Sequence, residues 1–334
     1  TRFIPLMTAT QSVFAQTVTT NAVYIGRVLS AITAKNLAKS FALDVSGSTR
    51  LNGSVTINSG SLNQSTGNLD ATAEWVGRNN VFATTYTWTG GVSSSWTNQN
   101  NWSPNTGTPT AADHVVIGGT GSYTNALQVT GSQSCSNFTI SSNGTFSMAA
   151  SSSLNIGGTF TNSTSATPTF NASSTFQISS TSAQAIPAWS FGNLTTSGGN
   201  RTLSSSGTIG IQGTFTPGSG TYTIAGSTVD FNGGGTQSIP AMNYYNLTVS
   251  NANNITLPSG TIGVAQDFTP GTATYTTTGN TIDFNGTVPQ TIPAFNYNNL
   301  TISGAHTTNN ITLVNGGTIG VAGTFSATAT FTTG

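Results

Sequence analysis

Gln184-Ala185-Ile186-Pro187-Ala188 returns as Gln237-Ser238-Ile239-Pro240-Ala241 and again as Gln290-Thr291-Ile292-Pro293-Ala294, each time after 53 residues. The neighbourhood returns with it. Asn193-Leu194-Thr195, Asn246-Leu247-Thr248 and Asn299-Leu300-Thr301 follow in one register, so Leu194, Leu247 and Leu300 share a repeat position. Gly207-Thr208-Ile209-Gly210 matches Gly260-Thr261-Ile262-Gly263 and Gly317-Thr318-Ile319-Gly320, the last interval being 57 because four extra residues enlarge the turn from Ala305 to Asn310. Phe215, Phe268 and Phe325 come next, and Val229-Asp230-Phe231-Asn232-Gly233 matches Ile282-Asp283-Phe284-Asn285-Gly286. Thr175-Phe176-Gln177 holds that same place earlier, and a partial copy runs from Asn137-Phe138-Thr139 to Gly158-Thr159-Phe160. Self-similarity at a fixed period marks a repeat architecture.

Within one copy, short β-forming runs are punctuated by Gly, Asn, Ser or Pro every ~8–12 residues. This texture predicts an all-β fold, a parallel β-solenoid of tandem 53-residue repeats over 115–334. About three coils of roughly 17–20 residues fit one copy, and strands stacked ~4.8 Å apart advance it by about 14 Å. Leu, Ile and Phe are expected inside, with Asn, Ser and Thr in ladders at the turns. Pro cannot donate to a strand ladder, which places Pro187, Pro240 and Pro293 at coil corners. The alternative, a separate small sandwich per copy, gives each copy a thin core with no disulfide to hold it.

Charged residues make up only 4% of the 334, against about 25% in ordinary soluble domains. Disordered chains usually combine low hydrophobicity with high net charge. Here net charge is zero and β-formers recur regularly, so a folded surface wetted by Ser, Thr, Asn and Gly is expected. With no basic patch to displace counterions, nucleic acid is excluded as a partner. No apolar run reaches the ~18 residues a spanning helix needs, so no membrane insertion is expected. Cys135 is the sole cysteine, which rules out an intrachain disulfide and reads as a small buried hydrophobe, with an intermolecular disulfide or reactive thiol as the alternative.

The amino-terminal third is organised differently. Residues 1–22 form an arm whose start, Arg2 to Gln16, reads either as the tail of a secretory signal or as an extended segment. Over 23–43, Ile25, Val28, Leu29 and Ile32, then Leu37 and Phe41, follow helical spacing and predict a short amphipathic helix with Lys35 and Lys39 on its wet face. Residues 44–70 carry Gly47, Gly53, Gly60 and Gly67 between short alternating runs. This resembles the narrow coils of viral and phage fibre proteins, in which three chains often wind together.

Residues 71–114 form a Trp-rich module. Trp88-Thr89-Gly90, Trp96 and Asn101-Trp102 lead through Pro104 and Pro109 to Asp113-His114-Val115-Val116-Ile117. Over about 30 residues this resembles the secreted surface and adhesin repeat proteins of Bacteroidota, and the resemblance implies a module that opens a β-helix. Trp88, Trp96 and Trp102 are expected either to plug the open end of the solenoid or to form a carbohydrate-stacking platform.

No nucleophile motif, phosphate loop or metal-ligand cluster is legible, so no cofactor is called for and no enzyme is expected. His114 and His306 stand far apart. Asp230 and Asp283 share one repeat position, which on the three-coil reading separates them by about 14 Å, beyond the ~6.5–9.5 Å of inverting glycosidases. Arg201 is the sole Lys or Arg after residue 114. The triplets at Asn193, Asn246 and Asn299 fit the glycosylation pattern, as many do in so Asn- and Thr-rich a chain. A new copy opens at Gly323-Thr324-Phe325, and Phe331 matches Tyr222 and Tyr275. The expected role is an extracellular or cell-surface structural protein: a filament subunit or adhesin-like stalk joined head to tail through an uncapped solenoid end. The expected partner is another copy, as a homopolymer or, in a viral or phage fibre, a homotrimer. A carbohydrate-binding module facing surface glycans is the third reading, and the arm at 1–22 is the candidate cover for a neighbour's open end.

Overall fold

The computed structural model describes residues 83–119, 123–163, 167–304 and 311–328, together with the backbone of four short strands between 42 and 71. The described chain is all-β, and from residue 83 it winds into a parallel β-solenoid of about ten coils, three short strands to a coil. Parallel strands stacked along one axis pair backbone N–H and C=O groups from coil to coil, so a chain with few charges and no disulfide still satisfies most of its backbone.

Each coil contributes one strand to each of three faces. Face A stacks His114–Ile117, Asn137–Ile140 and Phe160–Asn162, then Gln184–Ile186, Arg201–Leu203 and Tyr222–Thr223, then the series from Asn243–Tyr244 to Phe325–Ala327. Face B runs from Leu127–Val129 through Thr208–Ile211, Thr228–Phe231 and Asn246–Val249 to Ile311–Leu313. Face C runs from Ser132–Cys135 through Thr175–Ile178, Asn193–Thr196 and Phe215–Thr216 to Gly320–Val321. Inside a strand the pattern alternates: in Asn193–Thr196, Asn246–Val249 and Asn299–Ile302 the second and fourth residues are buried and the others half-buried. That period of two keeps Leu194, Leu247 and Leu300 in the core, where each is worth about 1.5–3 kcal/mol of burial.

The repeat and the coil do not coincide. From Asn193–Thr196 to Asn246–Val249 the chain passes through eight strands, and from there to Asn299–Ile302 another eight. Eight strands are two and two-thirds coils, not three, so one copy advances by about 13 Å. Leu194 therefore lies on face C, Leu247 on face B and Leu300 on face A. A core column consequently mixes repeat positions: Ile209, Val229, Leu247 and Phe268 stack in direct register. Pro187, Pro240 and Pro293 do sit at corners, as their chemistry requires, but at three different ones: between faces A and B, C and A, and B and C. The same rotation puts Asp230 on face B and Asp283 on face A, so the two are separated by placement on different faces as well as by the axial advance of one copy, about 13 Å against the roughly 14 Å expected.

The first layer is the Trp-rich module. Thr85–Trp88 pairs in parallel with His114–Ile117 and, along its other edge, antiparallel with Trp102–Ser103. As a separate unit, residues 1–82 hold two parallel pairs, Ala42–Ser46 with Ser61–Thr66 and Thr49–Leu51 with Leu69–Ala71, at offsets of 19 to 20 residues, the length of one coil. The expected helix over 23–43 falls outside the described residues except at its end, where Ala42 and Leu43 lie in a strand. The arm at 1–22 and the turn at 305–310 with His306 also lie outside them.

Candidate functional site

The three indoles converge. Trp102 packs edge-on against Trp88 at 4.9 Å and against Trp96 at 5.1 Å between ring centroids. Trp96 is wholly inaccessible and the other two nearly so, which leaves no ring face for a sugar to stack on. The loop between them is held from inside. Asn101 accepts from the N–H groups of Val92 and Ser93 at 3.0 and 2.9 Å and donates to Ser93 Oγ and the carbonyl of Ser95. Trp88 Nε1 donates to the carbonyl of Asn125, and Trp102 Nε1 to that of Trp96. Gly90 has a φ of +55°, and a Cβ there would strike the carbonyl oxygen of Asn125. Asp113 closes the module, accepting from Thr84 N–H, Thr110 N–H and Thr110 Oγ at 2.6–2.9 Å.

The motif Gln-x-Ile-Pro-Ala holds a group that the sequence reading passed over. Its glutamine is buried in all three copies. Gln237 donates to the carbonyls of Ile211 and Gly213 and accepts from Gly233 N–H. Gln290 repeats the pattern with Val264, Gln266 and Gly286. Gln184 accepts from Phe160 N–H. Each glutamine thus clips its coil to the one before it, on face A, C or B in turn. The signal that could have revealed this was an invariant amide at an inward strand position, where an apolar residue is the default. The prolines add a second tie in two copies, since Tyr244 and Tyr297 donate to the carbonyls of Pro240 and Pro293.

The asparagines that open the Asn-Leu-Thr triplets are structural as well. Asn193 Oδ1 accepts from Thr214 N–H one coil on, while its Nδ2 donates to the carbonyl of Ser174 one coil back. Asn299 does the same between Thr324 and Asn280, and Asn137 accepts from Thr159 N–H. Gly213 makes room, because a Cβ there would meet Asn193 Oδ1.

The titratable groups stay apart. Asp230 accepts from Ser250 N–H and Oγ, and Asp283 from Ser303 Oγ. No group of three His, Cys, Asp or Glu able to hold a metal occurs among the described residues. His114 is half-buried at the start of its strand. Cys135 is buried, and desolvation, helped by the charge of Asp113, pushes its thiol from 9.0 up to about 12. Arg201 is 1% exposed and faces no carboxylate: its two terminal nitrogens donate to six carbonyls, those of Ile178, Ser180, Ser182, Ser197, Gly199 and Asn200. Its positive charge is spent on a corner of the backbone, not offered to a substrate.

One cleft of about 420 Å³ opens along the corner between faces A and B, reaching from Asn162 across three further coils to Ala225. It lies where the first stack on face A, ending at Phe160–Asn162, gives way to the stack that begins at Gln184–Ile186. Ala185, Pro187 and Ala225 supply accessible apolar wall, and Thr202, Ser204 and Ser205 supply hydroxyls.

No protein-family model matches the chain, and no similar curated protein or solved structure was found. No helix among the described residues is long and apolar enough to cross a membrane.

Proposed function

We propose that the chain is an extracellular structural protein, a filament subunit or adhesin-like stalk, whose solenoid continues from one molecule into the next. The observation that carries this reading is the state of the last described coil. Leu313 is 47% exposed, whereas Leu203 and Leu257, its counterparts in the preceding copies, are 2% and 1% exposed beneath a following coil. Phe325 is 52% exposed where Phe215 and Phe268 are buried. Another coil of the same kind fits this surface, whether from further chain or from a second copy, and the proposed assembly takes it from a second copy. Contacts of this type, head to tail and unclosed, generate filaments. A scarcity of charge favours it too, because little repulsion opposes close approach. The described core is dense in aromatic and branched side chains, which suits a load-bearing role.

Three-chain winding, the fibre alternative, finds no support in the described solenoid: one chain supplies all three faces of each coil. The test is Leu313→Asp, which places a charge on the proposed junction without touching the interior coils. Wild-type chain is expected to sediment as a concentration-dependent series of oligomers and the variant as single chains; equal behaviour of the two would refute the junction.

A further inference from the structure

We propose that the cleft on the corner between faces A and B is a binding site for a neutral saccharide. The reading goes beyond the stalk assignment and stands whether or not copies join end to end. The first argument is shape. The cleft runs along the solenoid axis from the level of Asn162 to that of Ala225, three coil steps or about 14 Å, and its volume of about 420 Å³ falls within the range of small-ligand sites. It exists because the strand stack on face A is broken there. Phe160–Asn162 pairs with Asn137–Ile140 but not with Gln184–Ile186. Gln184 Oε1 instead accepts the Phe160 N–H across the break.

The second argument is chemistry. The lining contains no ionisable side chain. Arg201, which adjoins Thr202 in sequence, turns its guanidinium to six carbonyls on the other side of its strand. A phosphate, sulfate or carboxylate would find no counter-charge in the lining, so anionic ligands are disfavoured. What remains is an apolar wall of Ala185, Pro187 and Ala225, with Ile186 and Leu203 buried behind it, beside the hydroxyls of Thr202, Ser204 and Ser205. A ring with one apolar face and a rim of hydroxyl groups matches both. An extended peptide is the weaker fit. It binds by adding to a strand edge, and at the break the Phe160 N–H is already taken by the side chain of Gln184. Carbohydrate stacking, one of the two readings of Trp88, Trp96 and Trp102, has no open ring face there, whereas this corner is open.

The test uses the full chain on an array carrying neutral and acidic oligosaccharides and extended peptides, followed by titration calorimetry with the ligand retained. Two exposed positions, Thr202 and Ala225, allow the cleft to be filled or charged without disturbing the core. The proposal expects retention of neutral oligosaccharides, weakened at least about tenfold by Thr202→Trp and by Ala225→Lys, with circular dichroism and melting temperature unchanged. Retention of acidic glycans or peptides alone, retention that neither variant alters, or no retention of a neutral glycan would each overturn it.

Discussion

The side-chain amide of Gln237 donates to the backbone carbonyl of Ile211 at 2.8 Å, binding one coil to the coil before it. Its second hydrogen goes to the carbonyl of Gly213, and its oxygen accepts from Gly233 and from Asn251 Nδ2. Four groups bond to one side chain. Gln237→Ala strips Gly233 N–H and one Asn251 hydrogen of their partner in a place closed to water, while the Ile211 carbonyl keeps Asn232 N–H, and a loss of about 2–3 kcal/mol is expected. Ser238→Ala, one residue on and exposed, is expected to change stability by less than about 0.5 kcal/mol. Urea titration compares the two, and amide exchange localises the loss if it is centred on 211–213 and 233.

Asn280 offers the opposite case. Both atoms of its buried amide lack a hydrogen-bond partner. The copies before it hold Ser227 and Ser174 at this position, and each serine Oγ donates at 2.7 Å to the carbonyl three residues back, Ile224 or Asn171. Asn280→Ser is therefore expected to stabilise the chain by about 1 kcal/mol. A lower denaturation midpoint in the variant would show that the amide has a role the serine cannot fill.

Arg201 fills a corner that other copies fill with uncharged groups. At the matching core position stand Ile255 and Ile311, and in the second copy Asn251 donates to the carbonyl of Gly235. Lysine has three donors in place of the planar fork, so it cannot meet six carbonyls arranged around a guanidinium. Arg201→Lys is expected to cost about 1–3 kcal/mol. Because the partners are backbone dipoles and not carboxylates, the loss should be the same in low and high salt. A marked salt dependence in denaturation would indicate an ionic partner instead.

Cys135 sets an alkaline limit. Its thiol ionises near 9.0 in the open chain and only at about 12 in the fold. Above pH 9 the unfolded chain loses a proton that the folded chain keeps, so stability is level below about pH 8 and falls as the pH climbs from 9 toward 12. Tyr275 and Tyr297, whose phenols burial also pushes up, add to the loss in the same direction. Cys135→Ala should flatten part of this decline. In native protein at pH 8 the thiol should resist a thiol-specific reagent and react at once on denaturation; fast native labelling would contradict its burial.

The repeat, the inward side chains and the proline corners were legible in the sequence because each depends on local rules: period two inside strands, no donor on proline, glycine at close approaches. The rotation of copies from face to face was not. Fifty-three residues divide plausibly into three coils, and only the strand pairing Val229 to Leu247 to Phe268, at offsets of 18 and 21, reveals a coil near 20. The indoles of Trp88, Trp96 and Trp102 left cap and platform both open, since residue type does not say which way a ring faces. The roles of Gln184, Gln237 and Gln290 were not legible, because the partners of such a glutamine lie up to 26 positions away in sequence. Asp230 and Asp283 bond to Ser250 and Ser303 on the next coil, partners that no local rule points to.

The most direct measurement is electron microscopy of the purified full chain across a range of concentrations, beside Leu313→Asp. The account predicts unbranched rods one solenoid wide, lengthening with concentration, with a coil spacing of about 4.8 Å along the axis and no rods longer than one molecule in the variant. Discrete single particles at every concentration, or rods in which three chains wind about one another, would contradict it.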